Sequence, residues 1–298
     1  MTNFIQINKY HTIILFFLSI IFFTLNINIQ ADNITGICFF LIVTVGVSHG
    51  SLDHIKGNKL LELFNIKNKL LFYFGYIVIS LTIIVLWLIL PLITLAIFLI
   101  VAAYHFGKED AVFGKNKKAK LLNLFLFLKG SLVIVAPLYF NPEETIKIFE
   151  TLNVQLNQIN NNILIAIIVL SLISNFFVNK NIFLSFLDSF TIIMLNLNFV
   201  PLVAFTIYFC FLHSLRHSLS LIEEIDNKNF KKGLNNFLKK AFPLTLITVI
   251  VFLIAVFFLN KYYLLDSAIL KVIFIGLASL TFPHILLEYL IEKNEKRT

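Results

Sequence analysis

Long apolar runs recur along nearly the whole chain, and they leave the fold little choice. Ten of them can be marked, roughly at 12–30, 34–50, 70–90, 91–107, 120–140, 162–178, 182–200, 201–219, 243–260 and 268–290. A run of about 20 apolar residues crosses the hydrocarbon of a bilayer as a helix. Backbone N–H and C=O groups find no water there, so only helices and closed β-barrels can span. These runs are continuous, without the apolar–polar alternation of barrel strands, and they read as helices. Composition agrees: 59% of residues are hydrophobic, 13% are charged, and the mean hydropathy is +0.90. Soluble domains carry roughly 25% charged residues. The expectation is an all-α, polytopic membrane helical bundle of about ten transmembrane helices, forming one domain over 1–298. No internal repeat is visible, and the longest loops, at 141–161 and 220–242, are too short to fold alone. Lys9 precedes the first run in the manner of a signal peptide, but no small-x-small cleavage site follows, so this run is kept as a span.

The net charge of +8 invites a nucleic-acid reading, which topology removes. With the N-terminus inside, Lys147 and Lys261 fall outside and Lys129, Arg216 and Lys271 fall within or at the edges of spans. That leaves 19 of the 24 Lys and Arg residues on the inner side. Cytoplasmic loops of membrane proteins carry this excess, so both termini are expected to be cytoplasmic. The lysines are expected to be solvated near anionic headgroups, with no nucleic acid as partner. Cys38 and Cys210 are the two cysteines, too few for a disulfide framework or a cysteine metal site.

The same topology orders the histidines. His49 ends the second span, His105 the fourth, and His213 and His217 the eighth; His284 lies in the last two turns of the tenth. All four spans are even-numbered and run outward to inward. Five imidazoles from four helices are therefore expected at one depth near the inner surface. His213 and His217, four apart, lie one turn above each other on one helix face. Ionisable residues within spans are expensive and usually functional, and neutral imidazole is the commonest nitrogen ligand for iron, zinc, copper or nickel. Polar neighbours that would orient the rings stand nearby: Asp53 after His49, Asp110 after His105, and Glu288 after His284. His11 and His54 fall outside the pattern. Arg216 is expected to snorkel to the interface or to pair with Asp53, Asp110 or Glu288. Asp188 and Lys129, on odd-numbered spans, do not join the cluster by depth.

Other metal chemistries fit these residues poorly. Membrane di-iron desaturases need more histidines in HxxxH and HxxHH clusters. HExxH, the zinc-protease signature, is absent, and bis-histidine haem wants rings stacked across the membrane. What remains is one non-haem metal with about four imidazoles and an open position.

With these residues in view, the chain resembles the bacterial β-carotene 15,15′-dioxygenase (Brp/Blh-like) family. The family pattern joins a G-x-P-H-G-x-x-D block, an H-F-G-x-x-D block, an H-x-x-R-H block and a late P-H block. Here they read Gly46-Val-Ser-His49-Gly-Ser-Leu-Asp53, His105-Phe-Gly-Lys-Glu-Asp110, His213-Ser-Leu-Arg-His217 and Pro283-His284. Ser48 departs from the usual proline before the first histidine.

The resemblance implies an Fe(II) dioxygenase cleaving the central 15,15′ double bond of β-carotene with O₂ to give two molecules of all-trans retinal. By position its iron ligands are His49, His105, His213 and His217, with no catalytic residue beyond them. His284, Asp53, Asp110, Tyr104 and Glu288 would then orient those ligands or face the substrate. It implies the inner (plasma) membrane as location and a rhodopsin as recipient of retinal. β-Carotene partitions into the bilayer, so lateral access from lipid and an apolar tunnel are expected, with tunnel shape setting the cleavage position. Two other classes compete. A metal or proton transporter would need polar residues through the full thickness, and the outer halves of the spans nearly lack them. A non-catalytic carotenoid- or retinal-binding protein assisting rhodopsin would keep the motifs but show no turnover.

Overall fold

The computed structural model describes residues 4–25, 33–113, 121–156 and 159–295. Nine helices among the described residues are long and apolar enough to cross a membrane, and Ile182–Asn198 is apolar but shorter. The protein is a multi-pass helical membrane bundle. In chain order the helices are α1 (Phe4–Thr24), α2 (Ile34–Leu41), α3 (Asp53–Leu63), α4 (Leu70–Ile89), α5 (Pro91–Asp110), α6 (Leu122–Phe140) and α7 (Pro142–Thr151). They continue with α8 (Asn161–Val178), α9 (Ile182–Asn198), α10 (Pro201–Ile207), α11 (Leu215–Ile225), α12 (Phe230–Leu259) and α13 (Leu265–Glu295).

Local chemistry starts these helices where the apolar runs leave the boundary open. Pro91, Pro142 and Pro201 each occupy the first turn of a helix, where the missing N–H has no intrahelical partner to lose. Asn160, Asn181 and Asn229 cap α8, α9 and α12 by accepting from the backbone N–H of Asn162, Leu184 and Lys232. Such caps contribute about 1 kcal/mol each. Several elements exceed the expected spans. α1 starts at Phe4 because its first turns bind a buried arginine, and α12 starts at Phe230, packing Phe237 and Ala241 against Leu221 and Ile222 of α11.

The second and eighth spans are not continuous α-helices. Ile42–Gly46 and Tyr208–Ser214 are wound as π-helix, and Val47–Leu52 as 3₁₀-helix. The two π segments face each other. The Ser214 hydroxyl donates to the Gly46 carbonyl at 2.7 Å, and a Cβ on Gly46 would sit 2.5 Å from the Phe209 ring. π-Helical turns interrupt helices mostly at functional sites, and here both lie beside the histidines. Ser48, in the 3₁₀ segment, donates to Val45 O at 2.8 Å.

Packing elsewhere relies on small and polar residues, as expected where lipid removes the hydrophobic drive between helices. α5 and α6 touch through Gly107 and Gly130. A Cβ on Gly107 would lie 1.8 Å from Leu126 O, and one on Gly130 1.9 Å from Ala103 O. The obstacle is backbone in both cases, so the helices must part. Gly130→Ala is expected to cost about 1–3 kcal/mol, the range of overpacked cores, read as a lowered melting temperature in detergent; an unchanged value would rule out the close crossing. α8 and α9 are joined by Asn175, which donates to Ser189 Oγ at 2.9 Å and accepts from Ser185 Oγ at 2.7 Å.

Candidate metal centre

His213 is the penultimate residue of the second π segment, His217 lies one turn on in α11, His105 sits near the end of α5, and His284 lies within α13. All four are buried. The ring of His105 is 5.2 Å from that of His213 and 5.2 Å from that of His284, and His217 is 5.9 Å from His284, between centroids. Four imidazoles from three spans thus meet in one buried spot. His49 belongs to the 3₁₀ segment by its backbone, and its side chain lies outside the described residues. Its neighbour Gly50 comes close: a Cβ there would be 3.9 Å from both His284 Nδ1 and Asp53 Oδ2.

Carboxylates hold the rings, in a pairing that distance along the chain does not reveal. Asp53, four residues after His49, accepts from Nδ1 of His284 at 2.9 Å. Asp110, five after His105, accepts from Nδ1 of His213 at 3.2 Å. Glu109, which the motifs did not single out, is bonded to Nδ1 of His217. Adjacent residues on a helix point about 100° apart, so the acidic pair Glu109-Asp110 reaches two different imidazoles. That adjacency at the end of a span was the one available signal. Two tyrosines extend the chains: Tyr76 donates to Asp53 Oδ2 at 3.0 Å and Tyr208 to Asp110 Oδ2 at 2.7 Å.

Glu288 stands between the two halves. It forms a group of ligand atoms within 4.8 Å of one another with His105 and His284, and a second such group with Glu109 and His217. Lys56 and Lys108 pair with it at 3.3 and 3.5 Å, and Lys108 also reaches Glu292 at 2.9 Å. These partly exposed lysines close the site on its solvent side.

Three sequence expectations are corrected. Tyr104 does not face the cluster: it packs against Ala111, Leu126 and Val178, and its hydroxyl donates to Asn123 at 3.4 Å, because it leaves α5 on a different side from His105. Arg216 does not snorkel but takes the paired alternative: its guanidinium lies 3.9 Å from Asp110 Oδ1, one of the expected partners, while its main partner is one the sequence did not name. The side chain is 1% exposed and forks onto Asp188 at 2.7 and 3.0 Å. Asp188 and Lys129 do join the site's surroundings, since Lys129 Nζ lies 3.5 Å from Asp188 Oδ2 and Arg216 also binds the backbone carbonyl of Asp110 at 2.8 Å.

A cavity of about 890 Å³ adjoins the cluster, lined by His105, His284, Asp53, Tyr76 and Tyr208 and otherwise mainly by apolar side chains. This lies toward the upper end of ordinary ligand sites. Its lining includes Ile77, Leu81 and Leu88 of α4 and Ile247 and Val251 of α12, all exposed on the outside of the bundle. The cavity therefore opens toward lipid. In the other direction it extends to Thr145, Asn196 and Pro201.

The donor set suits a metal cation. Nδ1 of His105 is buried and makes no hydrogen bond among the described residues. On the other three rings the carboxylate at Nδ1 fixes the tautomer that presents Nε2 as a lone pair, the carboxylate–histidine arrangement of metal proteins. Replacing Glu109 by Gln is expected to weaken metal binding about tenfold or more, measured by competition with a chelator; equal affinity would remove Glu109 from this role.

The comparisons with known proteins converge on one family. Residues 40–292 match the family model described as β-carotene 15,15′-dioxygenase. A relative from uncultured marine bacterium 66A03, named β-carotene 15,15′-dioxygenase, is 27% identical over 265 residues, covering 86% of this chain and 94% of its own. No solved structure matches. The chain belongs to the β-carotene 15,15′-dioxygenase family.

Proposed function

We propose that the protein cleaves the central double bond of β-carotene with O₂, giving two molecules of retinal, at a non-haem Fe(II) held by His105, His213, His217 and His284. The observation that carries this reading is the meeting of four buried imidazoles with a large apolar cavity open to lipid. His284 enters the ligand set in place of a supporting role because its ring stands as close to His105 as that of His213 does. His49 remains a proposed ligand on its motif and on the approach of Gly50 to His284. Iron would supply the redox chemistry that lets O₂ react with a carbon–carbon double bond.

The chain's own residues do the rest. Asp53, Asp110 and Glu109 orient His284, His213 and His217 through Nδ1, while Tyr76 and Tyr208 fix two of those carboxylates. Phe106 and Phe209 pack on the His213 ring at 4.9 and 5.8 Å, screening the site from water. β-Carotene has no polar handle, so its central bond must be brought to the cluster by the length and shape of the apolar cavity, a positioning effect. Access between α4 and α12 lets a hydrocarbon enter from the bilayer. The Lys-rich segments support a plasma-membrane location with the metal side facing the cytoplasm.

The test uses purified full-length protein in nanodiscs, assayed for iron and for products from β-carotene under O₂. About one iron per chain and retinal as sole product are expected. Absence of iron from active protein, or cleavage at another bond, would overturn the reading.

A further inference from the structure

We propose that the solvent side of the cluster is an entry site for a divalent cation, in which Glu292 and Glu288 pass the ion to His105 and Lys108 holds its place until it arrives. This rests on the metal reading above and adds to it how a buried centre is filled. His284, Glu288 and Glu292 follow one another at four-residue spacing in α13, so they stack on one face of the helix. Their exposure rises along that stack, from 4% through 8% to 48%. One end of the ladder meets water. The other is an imidazole of the proposed ligand set, about 12 Å away at the helical rise per residue.

The middle rung is built to take a cation. Glu288 Oε2 and His105 Nδ1 are both buried, neither makes a hydrogen bond among the described residues, and they lie 4.0 Å apart. That separation is too long for a hydrogen bond. A carboxylate oxygen and an imidazole nitrogen each ligate a divalent ion such as zinc at about 2.0–2.2 Å, so one ion between them spans the gap. Lys108 now supplies the positive charge on this side. Its Nζ lies 2.9 Å from Glu292 Oε1, 3.5 Å from Glu288 Oε2 and 4.0 Å from Glu109 Oε1. An ammonium on a flexible stem, shared by three carboxylates, is displaced by an ion of twice its charge.

The other approaches are closed to an ion. The cavity opens toward lipid past Ile77, Leu81, Ile247 and Val251, side chains that cannot replace a cation's water shell. Beyond His213, Arg216 and Lys129 are buried in their ion pairs with Asp188.

The experiment follows Co(II), a divalent probe that takes nitrogen and oxygen ligands as Fe(II) does, into metal-free protein in nanodiscs and out again to an excess of chelator. An entry site lies on the way in and on the way out, so changing it alters both rates and leaves Kd in place. Glu292→Gln, at an exposed position, is expected to slow uptake and release alike, each about tenfold, the loss of one charge-assisted contact. Lys108→Met is expected to quicken uptake, because no ammonium has to leave. Wild-type uptake in Glu292→Gln, or a change in its release alone, overturns the entry site; the second result would mark a residue that only stabilises the loaded centre. Slower uptake with unchanged release would make Glu292 a distant attractor of cations and overturns the site as well. Uptake no faster in Lys108→Met overturns the displacement. If the wild type takes up no metal at all, the metal reading fails and the entry site with it.

Discussion

His105→Ala is expected to give a protein that inserts and folds but binds no iron and forms no retinal above background. His105 is 4% exposed and lies between His213 and His284, so no other described imidazole stands in its place. The substitution removes one nitrogen donor of the proposed set, and water cannot replace it without hydrating a buried apolar wall. Loss of activity alone would not separate a missing ligand from a misfolded helix. Linkage does: a metal that binds only the folded state stabilises it by about 2.7 kcal/mol at a hundredfold excess over Kd. Fe(II) should therefore raise the melting temperature of the wild type and leave that of His105→Ala unmoved. A variant with wild-type melting, a normal response to Fe(II) and continued retinal formation would remove His105 from the site.

A shared level for the histidines in the bundle was legible in the sequence, and their partners were not. His105, His213, His217 and His284 stand out because an imidazole in an apolar span is rare, and alternation of span direction shows which ends share a membrane side. Position along a helix is thus readable from counting. Rotation about the helix axis and the choice of neighbouring helix are not, since both depend on packing among all the spans. That is why Asp53 was associated with His49 by spacing and yet bonds His284, 231 residues away. It is also why Lys129 and Asp188 had no assigned place: the partner that joins them to the site is Arg216. The π segments at 42–46 and 208–214 have no apolar periodicity of their own. Only the facing contact of Gly46 with Phe209 and Ser214 shows what they accomplish, which is to bring the second and eighth spans close beside the histidines.

Arg216→Met should be the most destabilising single change outside the imidazoles, by about 3–5 kcal/mol, the cost of removing one partner from a buried ion pair. A guanidinium has five N–H donors, and here each has an acceptor. Nε donates to Asn8, one amino group to Asp188 and the Asp110 carbonyl, and the other to Asp188 and Thr12. One side chain of α11 thereby ties together α1, α5 and α9. Methionine fills much of the volume but leaves the Asp188 carboxylate buried with Lys129 as its remaining ion-pair partner. Arg216→Lys keeps the charge and loses the fork, so it should recover only part of the stability. If the loss comes from the stranded carboxylate, then Asp188→Leu together with Lys129→Met in the Arg216→Met background, which leaves neither buried charge unpaired, should restore stability relative to Arg216→Met alone. The coupling energy from this cycle is read by thermal denaturation in detergent. A cost below about 1 kcal/mol for Arg216→Met, the range of exposed pairs, would mean that water reaches the guanidinium and that α1 is held by apolar contact alone.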